Sequence, residues 1–142
     1  MRIGIISDSH GNTMAIDMAI KIAGDVDCWL HAGDLIRDAE YMEMVTEKEI
    51  INVAGNCDWP QNAVPDELVI DKAGHRIFLA HGHAYGVKRG NSDFKRMAIA
   101  KGVDIAVYGH THVAEIDNSN SCLIINPGSI AFPRDGKAQS FM

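Results

Sequence analysis

Five short clusters of Asp, Asn and His carry the side chains of this sequence that could hold a metal ion. Residues i and i+2 of an extended chain project to the same side, so a D-x-H or H-x-H pattern can offer two ligands to one point. A mixed set of imidazole, carboxylate and amide-oxygen donors suits divalent ions such as Mn²⁺, Zn²⁺, Fe²⁺ or Ni²⁺. The clusters are Asp8-Ser9-His10, Gly33-Asp34, Gly55-Asn56-Cys57-Asp58, His81-Gly82-His83 and Gly109-His110-Thr111-His112.

Each of these clusters follows a segment whose apolar run predicts a buried β-strand. In layered α/β folds the loops that leave strand ends carry the chemistry, so ligands at five strand ends can converge on one site. The five strands are predicted at Ile3–Ser7, Cys28–His31, Ile50–Ala54, Arg76–Ala80 and Asp104–Tyr108.

Helices and two hairpins are predicted around these strands, and the alternation of strand and helix predicts an α/β fold. The helices are predicted from Asn12 or Thr13 to about Ala23, over Asp38–Glu49 and over Asp93–Lys101. The hairpins are predicted to pair Glu67–Asp71 with Arg76–Ala80, and Val113–Asp117 with Cys122–Ile125 around a turn at Asn118–Ser121.

Length and composition predict one globular domain, residues 1–142, large enough to bury a single core. A net charge of −6 and the lack of a basic DNA-reading segment argue against nucleic-acid binding, whether sequence-specific or not. The sequence contains no run of about 18 apolar residues, so no membrane span is predicted. The apolar start Met1–Ile6 is too short for a signal peptide, which predicts a cytoplasmic protein.

Cys28, Cys57 and Cys122 form no CxxC pair, so neither a disulfide framework nor a thiolate zinc site is indicated.

The combination of motifs resembles the calcineurin-like metallophosphoesterase superfamily, and the resemblance spans residues 8 to about 134. The motifs that carry it are Asp8-x-His10, Gly33-Asp34, Gly55-Asn56-x-Asp58, His81-Gly82-His83 and Gly109-His110-x-His112. The short chain, Cys57 and the run Asn126-Pro127-Gly128-Ser129 are similar to the small prokaryotic phosphodiesterase branch. This resemblance implies a layered β-sandwich of mixed sheets flanked by helices, in the order αββα.

The resemblance also implies two bound divalent metal ions, with Mn²⁺ as the first expectation. One ion would be held by Asp8, His10, Asp34 and His112, and the other by Asp34, Asn56, His81 and His110. Asp34 would then bridge the ions, at the separation of about 3.5–4 Å that two-metal hydrolases use. A water shared by both ions, with its pKa lowered to about 7, would attack the phosphorus in line.

Asn56, Asp58 and His83 are predicted to take part in catalysis. Larger members of the superfamily commonly carry a histidine at the position of Cys57, thought to protonate the leaving oxygen or to contact the phosphate. A thiol is a weak hydrogen-bond donor and a poor general acid for an alkoxide. We therefore expect a preference for activated leaving groups, or recruitment of His83 or water as the acid. Asp58 is expected to orient a neighbouring imidazole.

Several polar residues outside the ligand set allow two interpretations each. His31 and His75 are either structural or solvent-exposed histidines, although His31 could also face the site. Arg134 is either solvated or in contact with a substrate phosphate. The run Asn126–Ser129 is either a tight turn or a backbone support for the rim of the site.

Relatives of this branch usually continue past residue 134 into one or two more strands. A C-terminal strand is therefore expected to be missing, and association into a homo-oligomer is left open.

Two functions from different classes are consistent with these patterns. The first is a metal-dependent phosphoesterase, above all a phosphodiesterase, that hydrolyses a small or nucleotide-like phosphate ester. The alternative is a catalytically weak scaffold, like the phosphoesterase-fold subunit of retromer, which uses the fold to bind proteins. The complete set of competent ligand residues favours the enzyme.

Overall fold

A computed structural model of the chain describes residues 1–59, 64–118 and 121–142. Two single-turn 3₁₀ helices, His83–Tyr85 and Val87–Arg89, lie between the fifth strand and the third α-helix. The α-helices and strands, in chain order, are β1 (Ile3–Ile6), α1 (Thr13–Ala23), β2 (Cys28–His31), α2 (Ile36–Thr46), β3 (Glu49–Asn52), β4 (Glu67–Lys72), β5 (His75–Ala80), α3 (Ser92–Ala100), β6 (Ile105–Val107), β7 (Ala114–Asp117) and β8 (Leu123–Pro127).

The described strands form two sheets. The first sheet has the order β1-β2-β3, with both pairs parallel and with α1 and α2 as the connections between its strands. The second sheet has the order β4-β5-β6-β8-β7. Its inner pairs, β5 with β6 and β6 with β8, are parallel, and its outer pairs are antiparallel.

The apolar residues of the strands alternate between two cores because successive side chains of a strand point to opposite faces. In the first sheet, Ile6 and Trp29 pack against α1 and α2. Ile5 and Leu30 face the other way and pack against Leu79 of the second sheet. The second sheet has a third core on its outer face, where Phe78 and Ile124 pack with Phe94 of α3. The layers are therefore helix, sheet, sheet, helix.

The predicted fold class is confirmed, with the mixing of strand directions confined to the second sheet. The largest difference concerns α2, which begins at Ile36 rather than at Asp38. The carboxylate of Asp58 accepts a hydrogen bond from the Ile36 backbone amide at 2.9 Å, and this cap comes from 22 residues downstream, where no local pattern shows it. The helix also ends early, because Glu47 adopts the left-handed conformation, so β3 begins at Glu49.

Parts of the predicted connections lie outside the described residues. These parts are residues 60–63, in the connection between β3 and β4, and residues 119 and 120 of the predicted turn between β7 and β8. Among the residues that are described, no helix is both long enough and apolar enough to cross a membrane.

The last residue of the chain lies against the outer edge of the first sheet. The Ile5 amide donates to the Met142 carbonyl at 2.5 Å, and the Met142 amide donates to the Ile5 carbonyl at 2.9 Å. This is the side of β1 that does not pair with β2, so Met142 occupies part of that edge of the first sheet. No strand follows β8 within the described part of the chain.

Candidate metal centre

The loops that follow β1, β2, β3, β5 and β6 meet at one edge of the two sheets. Within the first sheet, the Asp8 amide donates to the Gly33 carbonyl at 3.1 Å. Within the second, the Gly109 amide donates to the His81 carbonyl at 3.1 Å. The His110 amide joins the sheets by donating to Oδ2 of Asp8 at 2.9 Å. The carboxyl ends of parallel strands therefore bring the polar clusters together, as the sequence predicts.

One group of potential ligands gathers around Asp8. Oδ1 of Asp8 lies 3.2 Å from Nε2 of His112, which in turn lies 3.2 Å from Nε2 of His10. The Nε2 atom of His10 is 3.9 Å from Oδ2 of Asp34. The ligand atoms of Asp8, His10 and His112 all lie within 4.8 Å of one another, which is the spacing of donors around a single ion.

A second group gathers around His81, which is fully buried. Its Nε2 atom lies 3.1 Å from Oδ1 of Asn56, 3.1 Å from Nδ1 of His110 and 3.4 Å from Oδ2 of Asp34. Asp34 thus presents the same oxygen, Oδ2, to both groups. Its other oxygen, Oδ1, accepts a hydrogen bond from the Cys57 amide at 2.9 Å, which fixes the carboxylate plane.

Two histidines are held in the tautomer that a metal ligand requires. Nδ1 of His81 lies 2.7 Å from the Ala32 carbonyl, and Nδ1 of His112 lies 2.7 Å from the Phe132 carbonyl. A carbonyl oxygen can only accept, so Nδ1 of each ring carries a proton and, in the neutral ring, the lone pair of Nε2 points into the site.

The carboxylates provide a direct test of whether these residues fit a cation. Oδ1 of Asp8 is buried and has no hydrogen-bond partner in the described structure. A buried carboxylate oxygen without a partner costs free energy that a bound cation would recover. Although burial favours the neutral ring, the hydrogen bond to Asp34 and the charge of Asp8 raise the pKa of His81. This edge of the sheets therefore favours positive charge, and its donors fit divalent ions.

The same electrostatics set the ionisation of the remaining ligands. Burial opposes ionisation of Asp34, but His81 and the Cys57 amide together hold the pKa of that carboxyl well below its usual range. Burial and the charges of His81 and Lys88 lower the pKa of His110 to about 4, so its ring is neutral near pH 7. Burial and the hydrogen bond to Asp34 raise the pKa of Cys57 to about 11, so its thiol keeps its proton.

The backbone at the ligands is held in an unusual conformation. Asp8, His10, Asp34, His110 and His112 all have positive φ, between 45° and 67°. For residues with a Cβ this left-handed region costs about 1–3 kcal/mol each, although Asp and His tolerate it better than most. Such geometry persists only where surrounding contacts impose it.

A buried network that the sequence did not reveal imposes part of this geometry. Oγ of Ser9 lies 2.5 Å from Oδ2 of Asp38 and 3.0 Å from Nε2 of His31, and all three side chains are buried. The Gly33 amide donates to Nδ1 of His31, so the ring proton is on Nε2 and points to Ser9. Asp38 also accepts from the Gly11 amide at 2.8 Å. The network joins the loop after β1 to the start of α2 and so positions Asp8, His10 and Asp34. The only sequence signal for it is an Asp, a Ser and a His placed beside ligand motifs.

The run Asn126–Ser129 supports the site, which resolves its two interpretations in favour of the rim. The Asn126 side-chain amide donates to the Gly109 carbonyl and to Oγ1 of Thr111, both at 3.0 Å. The Ser129 hydroxyl donates to the Asp8 carbonyl at 2.7 Å. Both side chains are fully buried, so the turn braces the loops that carry Asp8 and His110.

The predicted role of Asp58 as an orienter of an imidazole is wrong in this structure. Its two oxygens accept from the Gly55 amide at 2.8 Å and the Ile36 amide at 2.9 Å. Asp58 therefore organises the loop of Asn56 and the start of α2. Local patterns cannot distinguish these roles, because a backbone amide and an imidazole satisfy a carboxylate equally well.

The other predicted residues lie around this site or away from it. His83 is exposed, with its ring centroid 5.5 Å from that of His81 and 6.1 Å from that of His110. Asn56 is exposed, and its amide nitrogen lies 3.5 Å from Sγ of Cys57. His75 is on the surface, where its ring is 3.9 Å from the Asp104 carboxylate.

An open cavity of about 270 Å³ gives access to the ligands. Besides ligand residues and Cys57, its wall includes Lys88, Phe132 and Arg134. The positive side chains of Lys88 and Arg134 can pair with the negative charge of a phosphate group. Arg134 was one of the open interpretations, whereas Lys88 carries no motif and was not predicted.

Comparison with known proteins agrees with this geometry. The sequence model for the calcineurin-like phosphoesterase superfamily domain matches residues 1–142. A probable metallophosphoesterase of Bacillus subtilis is 33% identical over 142 residues, covering 99% of this chain and 82% of that protein. A phosphodiesterase of Methanocaldococcus jannaschii is 31% identical over 145 residues, covering 90% of this chain and 83% of that protein. A Vps29 single mutant from Entamoeba histolytica has a TM-score of 0.78 at 22% identity, covering 100% of this chain and 84% of that chain, which shows a shared fold alone.

Substituting Gly55 with alanine is expected to damage the site directly. A Cβ at this position would lie 1.9 Å from Oδ1 of Asp34 and 2.6 Å from its backbone nitrogen, so Asp34 must move. We expect Mn²⁺ affinity, measured by isothermal titration calorimetry, to fall by about 10-fold or more. Gly74→Ala is the control: its φ of 79° makes the substitution strained as well, but no atom lies within 4 Å of the added Cβ, so it separates general backbone strain from displacement of Asp34. Equal Mn²⁺ affinity in Gly55→Ala and the wild type would contradict the assignment of Asp34.

Removing the carboxylate of Asp38 is expected to lower both stability and Mn²⁺ affinity. Asp38→Ala leaves the buried Ser9 hydroxyl and the Gly11 amide without their acceptor, which costs about 1–3 kcal/mol of unfolding free energy. Urea unfolding measures this loss, with the exposed Asp71→Ala as the matched control. A change within about 0.5 kcal/mol, as for ordinary surface substitutions, would show that the network does not brace the site.

Proposed function

The chain belongs to the calcineurin-like phosphoesterase superfamily, and on that basis we propose that it is a metal-dependent phosphodiesterase. Its substrate would be a small or nucleotide-like phosphate ester. The observation that carries the proposal is that the two groups of potential ligands meet at Asp34, whose Oδ2 lies 3.9 Å from Nε2 of His10 and 3.4 Å from Nε2 of His81. The similarity to a phosphodiesterase of M. jannaschii supports the choice of a diester over a monoester.

The two groups around Asp34 define which residues would hold each cation. Asp8, His10 and His112 would hold one ion, and Asn56, His81 and His110 the other, with Asp34 shared by both. Carboxylate and imidazole donors of this kind suit Mn²⁺, Zn²⁺, Fe²⁺ or Ni²⁺, and Mn²⁺ is the ion we would test first. When bound, two such ions supply Lewis acidity and an activated water near neutral pH.

The protein's own residues would then bind and orient the ester. Lys88 and Arg134 line the cavity that opens on the candidate ligands. Their charges can neutralise the phosphate oxygens as the ester enters. The exposed Asn56 lines this cavity, and the exposed imidazole of His83 lies beside the site, with its ring centroid 5.5 Å from that of His81. His83 would position the leaving oxygen or the water that protonates it. No serine or cysteine nucleophile is needed in this scheme.

The scaffold alternative rests on the fold alone. The Vps29 similarity is at 22% identity, and a fold hosts many functions. The relatives at 33% and 31% identity are named as a probable metallophosphoesterase and a phosphodiesterase, which supports the enzyme over the scaffold.

Activity is expected to depend on the metal and on both ligand groups. The wild type should hydrolyse bis(p-nitrophenyl) phosphate when Mn²⁺ is added and should lose this activity with a chelator. Asp34→Asn and His110→Ala should each lower kcat by about 100-fold or more, because even partners outside the ligand set are commonly worth 10- to 100-fold. His75→Ala, on a surface histidine, is the control. Hydrolysis that survives both ligand substitutions would exclude the proposal, and metal binding without turnover of any phosphate ester would favour the scaffold.

Cys57 is expected to limit the range of leaving groups. An imidazole is a far better general acid than a thiol, and such acids typically contribute about 10²–10⁴-fold. We expect Cys57→His to raise kcat/KM for a diester with an alkoxide leaving group by about 10-fold or more, relative to the p-nitrophenyl diester. Cys57→Ser is the control and should leave the ratio of the two values unchanged. If Cys57→His leaves that ratio unchanged as well, protonation of the leaving group does not depend on this position.

A further inference from the structure

A second cavity, of about 440 Å³, lies beside the metal centre. It is formed by the first turns of α2 and by the loop that follows Gly55, and Cys57 lines both this cavity and the one that opens on the ligands. The two cavities therefore adjoin at Cys57. Sites for small molecules commonly have volumes of about 300–1,000 Å³, so the second cavity is large enough for a ligand group.

One wall of this cavity is an exposed indole ring. Trp59 is 84% exposed, whereas Trp29 is fully buried in the core between the first sheet and its helices. No aromatic ring stacks on Trp59 within the described residues. Exposure of such a flat apolar ring to water costs free energy. Planar ligands stack on rings of this kind.

The other wall is charged and lies on one face of α2. Arg37 and Glu40 are three residues apart, so they project to the same side of the helix, and both are exposed at the cavity. Arg37 forms no ion pair with the parts of the chain that the structure describes. A guanidinium and a carboxylate together can meet both acceptors and donors on the edge of a heterocycle.

We propose that this cavity binds the planar base of a nucleotide ester whose phosphate lies at the metal centre. The base stacks on Trp59, and Arg37 and Glu40 contact its polar edge or its sugar hydroxyls. The inference rests on the proposed function in one respect, namely that the phosphate of the ester lies at the metal centre. Binding of the base itself needs no metal, so the two can be tested separately.

The binding test uses the full chain in the presence of a chelator. Calorimetric titration with adenosine should show binding, and ribose, which lacks the base, should bind much more weakly. Neither probe carries a phosphate, so neither depends on the metal. Trp59→Ala should weaken binding of adenosine by about 5-fold or more, and Trp59→Phe should restore most of it, because stacking is the interaction removed. Ile116→Ala, on an exposed side chain of β7, is the matched control. Equal affinity for adenosine and ribose, no binding of adenosine at millimolar concentration, or an unchanged affinity in Trp59→Ala would overturn the inference.

A kinetic test separates the failure of this inference from the failure of the proposed function. With Mn²⁺ present, Trp59→Ala should raise KM for the p-nitrophenyl ester of a nucleotide by about 5-fold or more, while KM for methyl p-nitrophenyl phosphate, which carries no base, stays the same. Nucleotide binding without hydrolysis of either ester would reject the phosphodiesterase and keep the base site. Hydrolysis of both esters with no difference between Trp59→Ala and the wild type would reject the base site and keep the phosphodiesterase.

Discussion

Two buried carboxylates that face four imidazoles are the constraint on which the rest of the structure depends. Asp8 and Asp34 lie almost entirely out of solvent, and one oxygen of Asp8 has no hydrogen-bond partner in the described structure. Such an arrangement is unfavourable for a folded chain without cations, since buried charge must be paired. The two sheets, each with parallel strands that end at the same edge, are what bring the groups within 4 Å of each other.

The strained backbone at the ligands is compensated by contacts that do not touch a metal. On one side, Ser9 and Asp38 tie the loop after β1 to α2. On the other, Asn126 and Ser129 hold the loops that carry the second sheet's histidines and Asp8. These hydrogen bonds are buried, where an unmade one is costly, so they can hold residues in left-handed conformations that would otherwise relax. The hydrogen bonds that surround these residues, rather than the residues' own backbone preferences, therefore account for their conformation.

The strands and the meeting of the polar clusters that follow them could be predicted from the sequence, because both are local signals. Apolar runs predict buried strands, and the order of D-x-H, G-D and H-x-H motifs after them points to one edge of the fold. The partners of those ligands could not be predicted in the same way. Ser9 meets Asp38 from 29 residues away, and Asp58 caps α2 from downstream, so only the folded chain shows what they bind. Lys88 joins the site from a 3₁₀ turn without any motif.

The candidate ligands and the proposed base cavity draw on largely different residues of this fold. The candidate ligands come from both sheets, whereas the cavity beside them is lined by the start of α2, by Leu35 just before it and by the loop after β3. That loop touches the metal centre through Cys57, whose amide holds Asp34 while its side chain faces both cavities. Side chains such as Trp59 and Arg37 can therefore change without moving a ligand, but the backbone between Gly55 and Asp58 cannot. We therefore expect proteins of this fold that bind different esters to differ in the exposed side chains of this region and to keep the conformation of its backbone.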